Sequence, residues 1–586
     1  MDEMIHLTIN GIAVDVPKGS TILDASVRAG VRIPTLCFLK DINEIGACRM
    51  CLVEVTGARG LMAACVAPAA DGMQVFTNTE RLHDYRKKTL ELILSNHRAD
   101  CTTCSRSTNC ELQTLAAEYN VDSERFGNRK MKFEIDTSSP HLIRDDSKCI
   151  LCRRCVAVCQ KIQRVGVIGA IGRGFNTHIG SPFEMLLDET ACINCGQCIQ
   201  VCPTGALTVH DDTSKVWAAL ADETKHVVIA PAPAVRAQLG ECFGFPMGTN
   251  VEGKMVAAMR RIGFDSVFDV DTAADMTIME EGTELLERLK SGENLPLITS
   301  CSPGWIKFCE YHYPEFIPNL SSCKSPQQMF GALTKTYYAE KVDLDPKDIF
   351  VVSVMPCTAK KFERSRSDQS ASGYPDIDVS ITTSELASMI RRSGIVFEDL
   401  PDEKFDPIFG VASGAGHIFG ATGGVMEAAL RTVAEIVTGK PLESVEFTAV
   451  RGTADIKEAE YDLAGTKVRV AVTSGLESAS KLLNSIKSGE AHYDFIEIMA
   501  CPGGCVNGGG QPIQPGYVHN TRDVRAIRAS ALYNEDKNMP LRKSHENPVV
   551  KEIYSTFLEQ PGSHKAHEIL HTSYEKRELY THLPKA

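Results

Sequence analysis

The chain has 586 residues, of which 43% are apolar and 23% charged, and this composition excludes a disordered or fibrous protein. With 62 Lys and Arg against 75 Asp and Glu, it has no net basic charge with which to hold nucleic acid or an anionic membrane surface. No apolar run reaches the roughly 18 to 20 residues that span a bilayer, and the amino terminus lacks the basic and apolar order of a signal peptide. We therefore expect a cytoplasmic protein that binds neither nucleic acid nor membrane.

The 22 cysteines are the unusual feature of the composition. Fifteen of them lie before residue 203, in tight groups. Clustered cysteines in a long cytosolic chain hold metal more often than they form disulfides. The groups are therefore the first candidates for functional sites.

The first 80 residues predict a small α+β domain. Asn10-Gly11 predicts a tight hairpin between two short strands within residues 6–16, and Thr21 with Asp24 predicts a capping box that opens a helix ending near Gly30. A cysteine-rich loop follows with the spacing C-x10-C-x2-C-x13-C, formed by Cys37, Cys48, Cys51 and Cys65. It resembles the plant-type ferredoxin domain, a β-grasp fold that binds a 2Fe-2S cluster. Structural zinc is the alternative.

A second group follows a helix predicted over residues 87–96. Its pattern is H-x3-C-x2-C-x5-C, formed by His97, Cys101, Cys104 and Cys110. An imidazole before a C-x2-C pair can ligate iron as well as zinc. The pattern resembles the His/Cys3 4Fe-4S site of hydrogenases and of the large electron-transfer subunit of respiratory NADH dehydrogenase.

A C-x2-C-x2-C-x3-C run then occurs twice, about 43 residues apart, which indicates an internal duplication. This is the run of two-cluster bacterial ferredoxins, in which the fourth cysteine of each run ligates the other cluster. The first predicted 4Fe-4S cluster is thus held by Cys149, Cys152, Cys155 and Cys202. The second is held by Cys192, Cys195, Cys198 and Cys159. The order along the chain suggests clusters arranged in series, as a wire.

After residue 213, apolar strands alternate with amphipathic helices, as in residues 225–230, 349–355 and 424–437, which predicts α/β architecture. Three islands stand out: TSCSPGW at 299–305, MPCTAKKFE at 355–363 and EIMACPGGCVNGGGQP at 497–512. They resemble the signatures of the iron-only (FeFe) hydrogenases. In that family a 4Fe-4S cubane is linked through a cysteine sulfur to a two-iron unit that carries CO, cyanide and a dithiolate bridge.

The resemblance implies cubane ligands at Cys357, Cys501 and Cys505, with Cys505 as the bridging thiolate. Many relatives have two adjacent cysteines in the first island, a proton relay followed by a ligand, where this chain has Cys301 and Ser302. We expect Cys301 to be the fourth ligand, because a thiolate binds iron better than a hydroxyl does. In the alternative register Cys301 relays protons and Ser302 is the ligand.

Other positions of the family carry over in the same way. Glu281, Glu284 and Ser321 match a proton relay, although two glutamates at this spacing can also be a solvated helix face. Further matches are contacts to the two-iron unit: Lys360 to a cyanide, Gln327 to a CO, Pro233 to a second cyanide, and Met355 and Met499 as apolar packing. Ala234 stands where many relatives have a hydroxyl donor.

We therefore predict a multidomain α+β and α/β protein. Its domains are a β-grasp 2Fe-2S domain (1–80), a His/Cys3 4Fe-4S domain (81–140), a two-cluster ferredoxin-like domain (141–212) and an α/β iron-only hydrogenase catalytic domain (213–586). The predicted cofactors are one 2Fe-2S cluster, three 4Fe-4S clusters and the hydrogen-forming cluster.

The predicted activity is reversible oxidation of hydrogen to protons and electrons. No Gly-rich dinucleotide fingerprint follows a strand, so the resemblance implies a flavoprotein partner and small iron-sulfur subunits for NAD(P) reduction, with bifurcation to ferredoxin as an extension. Maturation enzymes are further expected partners. The alternatives are a single-chain, ferredoxin-linked hydrogenase, an electron-transfer subunit and a non-catalytic hydrogen sensor.

Overall fold

The structure is a computed structural model that describes residues 3–123, 125–126, 133–463 and 465–580. The first domain is built on a five-stranded sheet of order β2-β1-β5-β3-β4. The predicted hairpin is confirmed, since Asn10 and Gly11 adopt φ of 50° and 83° between the paired strands. The capping box is also present, with Thr21 and Asp24 bonded reciprocally. The elements are β1 (Met4–Ile9), β2 (Ile12–Pro17), α1 (Ile22–Arg28), β3 (Leu52–Val55), β4 (Met62–Ala63) and β5 (Gln74–Phe76).

The helix predicted over residues 87–96 spans Glu80–Leu94 instead. It begins earlier because the Thr79 hydroxyl accepts the Leu82 amide as an N-cap. The region up to residue 212 has little regular structure, since its backbone wraps the cysteine groups. Its elements are α2 (Glu80–Leu94), α3 (Glu111–Glu118), β6 (Leu142–Arg144), α4 (Arg154–Ala157), β7 (Gly169–Ile171), β8 (His178–Gly180), α5 (Gln197–Gln200) and β9 (Leu207–Val209).

Two four-stranded sheets form the frame of the remaining chain. The first has the order β11-β10-β13-β14 and is entirely parallel, while the second has the order β12-β17-β16-β15, with one antiparallel pair at its β15 edge. The strands are β10 (His226–Pro231), β11 (Ser266–Val267), β12 (Leu297–Ile298), β13 (Ile349–Met355), β14 (Val379–Thr382), β15 (Ile456–Leu463), β16 (Thr466–Ser474) and β17 (Phe495–Met499).

Helices pack against these sheets. They bury the two largest core clusters, one around β10 and β13 and one around β16 and α16. The helices are α6 (Thr213–Leu220), α7 (Pro233–Arg236), α8 (Glu252–Ile262), α9 (Asp271–Ser291), α10 (Pro303–His312), α11 (Pro326–Leu333), α12 (Ala339–Val342), α13 (Ala359–Glu363), α14 (Thr383–Arg392), α15 (Gly414–Ile418), α16 (Gly424–Thr438), α17 (Leu476–Lys487), α18 (Gly516–Thr521), α19 (Val524–Asn538), α20 (Pro548–Ile553) and α21 (His564–Leu570).

The alternation predicted after residue 213 is present: β10, β13 and α16 lie within one residue of the expected ranges. Near-continuous apolar strands of this kind are typical of parallel sheets buried on both faces. None of the helices in the described part of the chain is both long and apolar enough to cross a membrane.

Candidate active site and its cysteine clusters

The three sequence islands meet at the carboxyl ends of parallel strands. One loop follows β12, one follows β13 and one follows β17. Ligand sites of α/β sheets form at this edge, because the loops there are free of the strand ladder. The pocket between these loops is lined by Cys301, Ser302, Cys357, Cys501 and Cys505, together with Cys195 from the ferredoxin-like domain.

Glycines bring the backbone close around this pocket. A Cβ on Gly504, which has φ of 91°, would lie 2.6 Å from the Thr422 amide nitrogen. A Cβ on Gly509 would lie 2.5 Å from the carbonyl oxygen of Cys195. The glycines are therefore needed for close approach between the third island and its neighbours.

The chemistry of the donor set fits an iron-sulfur centre. Burial raises the pKa of Cys357 and Cys501, and raises that of Cys505 to about 12. Thiolates buried so deeply are stable only beside a compensating cation, which a metal cluster provides. None of the 22 cysteines, all of which lie in the described ranges, forms a disulfide.

Lys360 stands at the rim of this pocket. Its Nζ donates to the Cys301 carbonyl oxygen at 3.2 Å and to the Glu363 carboxylate at 2.9 Å. Met499 also lines the pocket, whereas Met355 is buried at the end of β13 within the adjoining core. Lys360 and Met499 thus bring one cationic and one apolar side chain to the pocket.

Gln327 has hydrogen-bond partners of its own within the protein. Its Oε1 accepts the hydroxyls of Ser353 and Ser380 at 2.8 and 3.2 Å, and its Nε2 donates to Glu363 at 3.0 Å. The amide group thus has hydrogen bonds on both its oxygen and its nitrogen within the protein. Pro233 is buried in the first turn of α7, and Ala234 beside it contacts the region of Cys505.

The predicted relay residues lie together next to Cys301. Glu281 is fully buried in α9; neither of its carboxyl oxygens has a hydrogen bond of good geometry, and the Ser321 hydroxyl and the Ser300 backbone are its polar neighbours. Burial and then the charge of Glu284 raise the pKa of Glu281 to about 8. The Ser321 hydroxyl donates to Glu284 at 2.8 Å, and Glu284 forms an ion pair with Arg288 at 2.7 Å. A carboxyl group that titrates near neutral pH beside a hydrogen-bonded pair can hold and pass a proton.

The duplicated cysteine runs form two cradles. One cavity is lined by Cys149, Cys152, Cys155 and Cys202, which we call the first cradle. Another is lined by Cys159, Cys192, Cys195 and Cys198, which we call the second cradle. The fold thus exchanges the fourth cysteine between the runs, as their spacing predicts.

The upstream groups both contact the first cradle. In the 2Fe-2S loop, the Cys51 and Cys65 sulfurs lie 3.2 Å apart, and Asn43 donates to the carbonyl oxygens of Cys37 and Cys152. Hydrogen bonding from Cys37 lowers the pKa of Cys48 to about 6, which favours its thiolate form.

The His/Cys3 group reaches the same cradle from another side. His97 is buried just after α2. Cys110 lies 3.6 Å from the Pro203 carbonyl oxygen, and a Cβ on Gly205 would lie 2.7 Å from the Cys104 sulfur. Cys101 opens the turn that leads to Cys104. Two cysteine groups therefore contact the first cradle and form two branches. The order along the chain had instead suggested a simple series of clusters.

Sequence reasoning missed several groups around the relay. Ser322, His571, Glu280 and Tyr554 form a hydrogen-bonded chain next to Glu284. Their separation of some 250 to 290 positions along the chain leaves no local pattern. Only the adjacent glutamates Glu280 and Glu281, which follow the apolar pair Ile278-Met279 of α9, could have drawn attention to them.

Family profiles match five segments of the chain. Residues 2–80 match a 2Fe-2S iron-sulfur cluster binding domain, 86–125 the NADH-ubiquinone oxidoreductase-G iron-sulfur binding region, and 139–208 the ferredoxin-like domain of NADH-quinone oxidoreductase subunit 3. Residues 225–509 match the C-terminal domain of the iron-only hydrogenase large subunit. Residues 522–577 match the iron hydrogenase small subunit, a division within the 213–586 region that the sequence reasoning did not make.

Similar proteins extend over the whole chain. NADP-reducing hydrogenase subunit HndD of Solidesulfovibrio fructosivorans is 47% identical and covers 98% of this chain and 99% of the relative. Iron hydrogenase 1 of Clostridium pasteurianum is 44% identical over 98% of this chain and 100% of the relative. The solved apo FeFe-hydrogenase HydA1 of Chlamydomonas reinhardtii is 43% identical, with a TM-score of 0.56 over 63% of this chain and 99% of that chain.

The site defines a protein of the iron-sulfur oxidoreductase class. The chain belongs to the iron-only hydrogenases. It is an oxidoreductase that acts on hydrogen, with 2Fe-2S and 4Fe-4S domains attached to the catalytic domain that carries the hydrogen-forming cluster. The predicted multidomain fold class is confirmed.

Proposed function

We propose that the chain is the catalytic subunit of a multisubunit, NAD(P)-linked hydrogenase with one 2Fe-2S cluster, three 4Fe-4S clusters and the hydrogen-forming cluster. The observation that carries the proposal is the continuous set of contacts from the 2Fe-2S loop through both cradles to the catalytic pocket. The printed name of the HndD relative, a subunit that reduces NADP, supports the same role here.

The electron route also supports the proposal that a separate subunit binds the nicotinamide cofactor. The sequence has no Gly-rich dinucleotide fingerprint, so NAD(P) reduction is assigned to a flavoprotein subunit. The two groups that branch from the first cradle offer two points of electron exchange, one for a flavoprotein and one for ferredoxin. Small iron-sulfur subunits complete the proposed complex.

When bound, the two-iron unit supplies the metal site at which hydrogen is split or formed. The chain's own residues orient it, exclude water and move protons. Lys360 provides a positive charge at the pocket rim, and Met499 provides apolar contact. Glu281, Ser321 and Glu284 hold successive positions for a proton between the pocket and the surface.

The surroundings of Cys301 support the register in which it passes protons. Burial, and next the Glu281 carboxylate, raise the pKa of the Cys301 thiol, which favours the protonated thiol that a relay needs. Against the expectation that Cys301 is the fourth ligand, we propose that Cys301 exchanges protons with Glu281 and that Ser302, whose hydroxyl accepts the Ala500 amide at 3.1 Å, would be the fourth ligand of the cubane.

Matched variants separate the two registers. Cys301→Ala should keep the full iron content and the electron paramagnetic resonance signals but lose hydrogen production, whereas Ser302→Cys should alter the cubane signal. Loss of the cubane signal in Cys301→Ala, with Ser302→Ala unchanged, would instead make Cys301 the ligand.

Infrared spectroscopy is the test of the whole proposal. Protein purified without oxygen after co-expression with the maturation enzymes should absorb where metal-bound CO and cyanide do, with bands that shift under hydrogen. Cys505→Ala should lack these bands and keep the upstream clusters. Absence of the bands in the parent protein, while a control hydrogenase matures normally, would leave an electron-transfer protein or a hydrogen sensor.

A single-chain, ferredoxin-linked hydrogenase is the second candidate. The full-length similarity to Iron hydrogenase 1 favours it, because the alignment covers 98% of this chain and 100% of that relative, whose printed name mentions no subunit. Affinity purification from the native host distinguishes the two. A flavin-containing subunit that co-purifies in fixed proportion supports the complex, and a monomer that reduces ferredoxin directly supports the single chain.

A further inference from the structure

The proposed relay opens at its outer end into a cavity of about 440 Å³. Helix α9 supplies one wall of this cavity with Glu284 and Glu287, and α21 supplies the other with His567 and the adjoining His571. Protons can therefore reach Glu284 directly from the solvent that fills the cavity. A second hydrogen-bonded path to Glu284 runs along the cavity wall.

Ser322 is the first member of that second path. Its backbone N–H donates to the Glu284 carboxylate at 3.2 Å, which holds the two residues in fixed register. Its hydroxyl oxygen lies 2.8 Å from Nδ1 of His571 and 3.4 Å from Oε1 of Glu284. The Ser322 hydroxyl can therefore bond to either neighbour by rotating about its C–O bond.

His571 is the second member. Its Nε2 lies 3.1 Å from Oε2 of Glu280, which is fully buried and also accepts the Tyr554 hydroxyl at 2.5 Å and the Gly562 amide at 2.9 Å. A carboxylate with two such donors is an acceptor, so Nε2 of His571 carries a proton. In neutral His571, Nδ1 is then free to accept the Ser322 hydroxyl proton.

We propose that His571 is a second proton-loading residue of the hydrogenase and that it exchanges protons with Glu284 through the Ser322 hydroxyl. This inference rests on the proposed relay through Glu281 and Glu284. Together with the direct path from the cavity, it gives the relay two parallel connections to solvent.

In the proposed transfer the Ser322 hydroxyl rotates between His571 and Glu284, and the number of protons is conserved. The Ser322 hydroxyl first turns from Nδ1 of His571 toward Glu284, which frees the single Nδ1 lone pair to take up a proton from the cavity, and the new N–H then donates to the Ser322 oxygen. The Ser322 hydroxyl proton then passes to Glu284 as the Nδ1 proton passes to Ser322. His571 returns to its neutral form with Nε2 still bonded to Glu280, and no other group changes its proton count.

The position of His571 suits exchange with solvent. Its side chain is only 7% exposed, but its ring packs against the ring of His567 with centroids 4.0 Å apart, and both residues line the cavity. The titratable and charged groups that face it from the surrounding elements are Glu280, Glu284, Arg288, Cys323, Tyr554 and His567.

The test compares His571→Asn with His564→Asn. Both residues belong to the α21 region, but the side chain of His564 is 90% exposed and lies outside the relay. A positioned acid-base group is worth roughly 10²- to 10⁴-fold, and because Glu284 keeps its direct path we expect His571→Asn to lower hydrogen production by about tenfold. The assay uses fully matured protein with excess reduced dye, so that proton supply limits the rate.

Three readouts distinguish proton transfer from a structural role. His571→Asn should change the pH profile and enlarge the solvent deuterium effect, and imidazole should restore part of the activity of His571→Ala. The third readout uses protein made without the two-iron unit. The infrared carboxylic acid band of Glu284 is identified as the band that Glu284→Gln removes. This band should titrate at a different pH in His571→Asn than in the parent protein. Ser322→Ala, which keeps the backbone contact to Glu284, should reproduce these effects if His571→Asn fails to fold.

The outcomes separate this inference from the relay itself. A parental pH profile and isotope effect in both His571→Asn and Ser322→Ala, while Glu281→Gln loses activity, would overturn the role of His571 and leave the relay intact. Full activity in Glu281→Gln would overturn the relay, and the role of His571 with it.

Discussion

The two cradles have the same cysteine spacing and the same local backbone. The residue before the second cysteine adopts positive φ in each, at 55° in Leu151 and 59° in Asn194. The residue after the second cysteine does so too, at 62° in Arg153 and 69° in Gly196. This equality indicates that the C-x2-C-x2-C run sets the shape of the cradle by itself.

The surroundings of the two cradles differ. Arg153 is exposed, whereas a Cβ on Gly196 would meet the Thr358 hydroxyl and lie 2.9 Å from the Cα of Gly509 in the catalytic region. The first cradle contacts the upstream cysteine groups, and the second contacts the catalytic pocket through Cys195. The neighbours of each cradle thus give the same motif a different role. The variants below test this comparison, beginning with the largest expected effect.

Loss of one ligand in each cradle should have unequal consequences. Cys198→Ala removes the centre next to the catalytic pocket, so we expect hydrogen-dependent reduction of every acceptor to be lost. Cys155→Ala breaks the path further out, so reduction of a small viologen dye should continue while reduction of the natural partner stops. Iron content and infrared bands check that the catalytic cluster is still present. Equal loss of dye reduction in both would contradict the assigned order.

Gly196→Ala and Arg153→Ala compare the same backbone position in the two cradles. The new Cβ of Gly196→Ala meets Thr358 and must also adopt positive φ. Left-handed strain of roughly 1–2 kcal/mol and overpacking of roughly 1–3 kcal/mol together predict a loss of about 2–5 kcal/mol. Arg153→Ala, at an exposed site, should stay within about 0.5 kcal/mol. Urea unfolding without oxygen measures both, and similar losses would refute the close-contact explanation.

Asp146, three residues before the first cradle, gives that cradle a pH-dependent stability. Burial raises its pKa from 3.8 to about 6, so the native state binds more protons than the unfolded state between these values. Stability therefore falls as pH rises through this range, and Asp146→Asn should gain up to about 3 kcal/mol at pH 7 and only about 0.5 kcal/mol at pH 4. Glu189→Gln, at the equivalent position before the second cradle, is the control. A gain that does not vary with pH would contradict this prediction.

Lys307 is a buried charge found beside the second cradle. Its Nζ donates to Asn194 at 2.5 Å, and its charge lowers the pKa of Cys192, which burial raises. A cation stabilises the more negative, reduced cluster, so Lys307→Met should lower the reduction potential of the second cradle by an amount of order 60 mV, a tenfold change for one electron. The first cradle should keep its potential in the same redox titration. A shift in both would indicate a general change of packing.

Much of the local structure followed from sequence rules that act over a few residues. The hairpin at Asn10-Gly11, the capping box at Thr21 and the strand of residues 349–355 are decided by backbone sterics and nearby hydrogen bonds. The start of α2 was missed by seven residues, because the N-cap at Thr79 was not recognised.

The candidate site was predictable wherever a motif carried it. The pocket cysteines lie in islands that resemble the family's cofactor-binding motifs. Glu281, Glu284 and Ser321 followed from the same resemblance. The hydrogen bonds that occupy the Gln327 amide were not predictable, since they join three separate elements.

The sequence by itself determined the cysteine groups, the cradle geometry and the α/β texture of the catalytic region, because metal ligation and strand and helix patterns depend on short spacings. Only the tertiary structure decided that two upstream groups meet one cradle, that Gly196 faces the catalytic loops and that His571 joins Glu284 through Ser322. Those contacts connect residues far apart in the chain, and packing of whole elements brings them together.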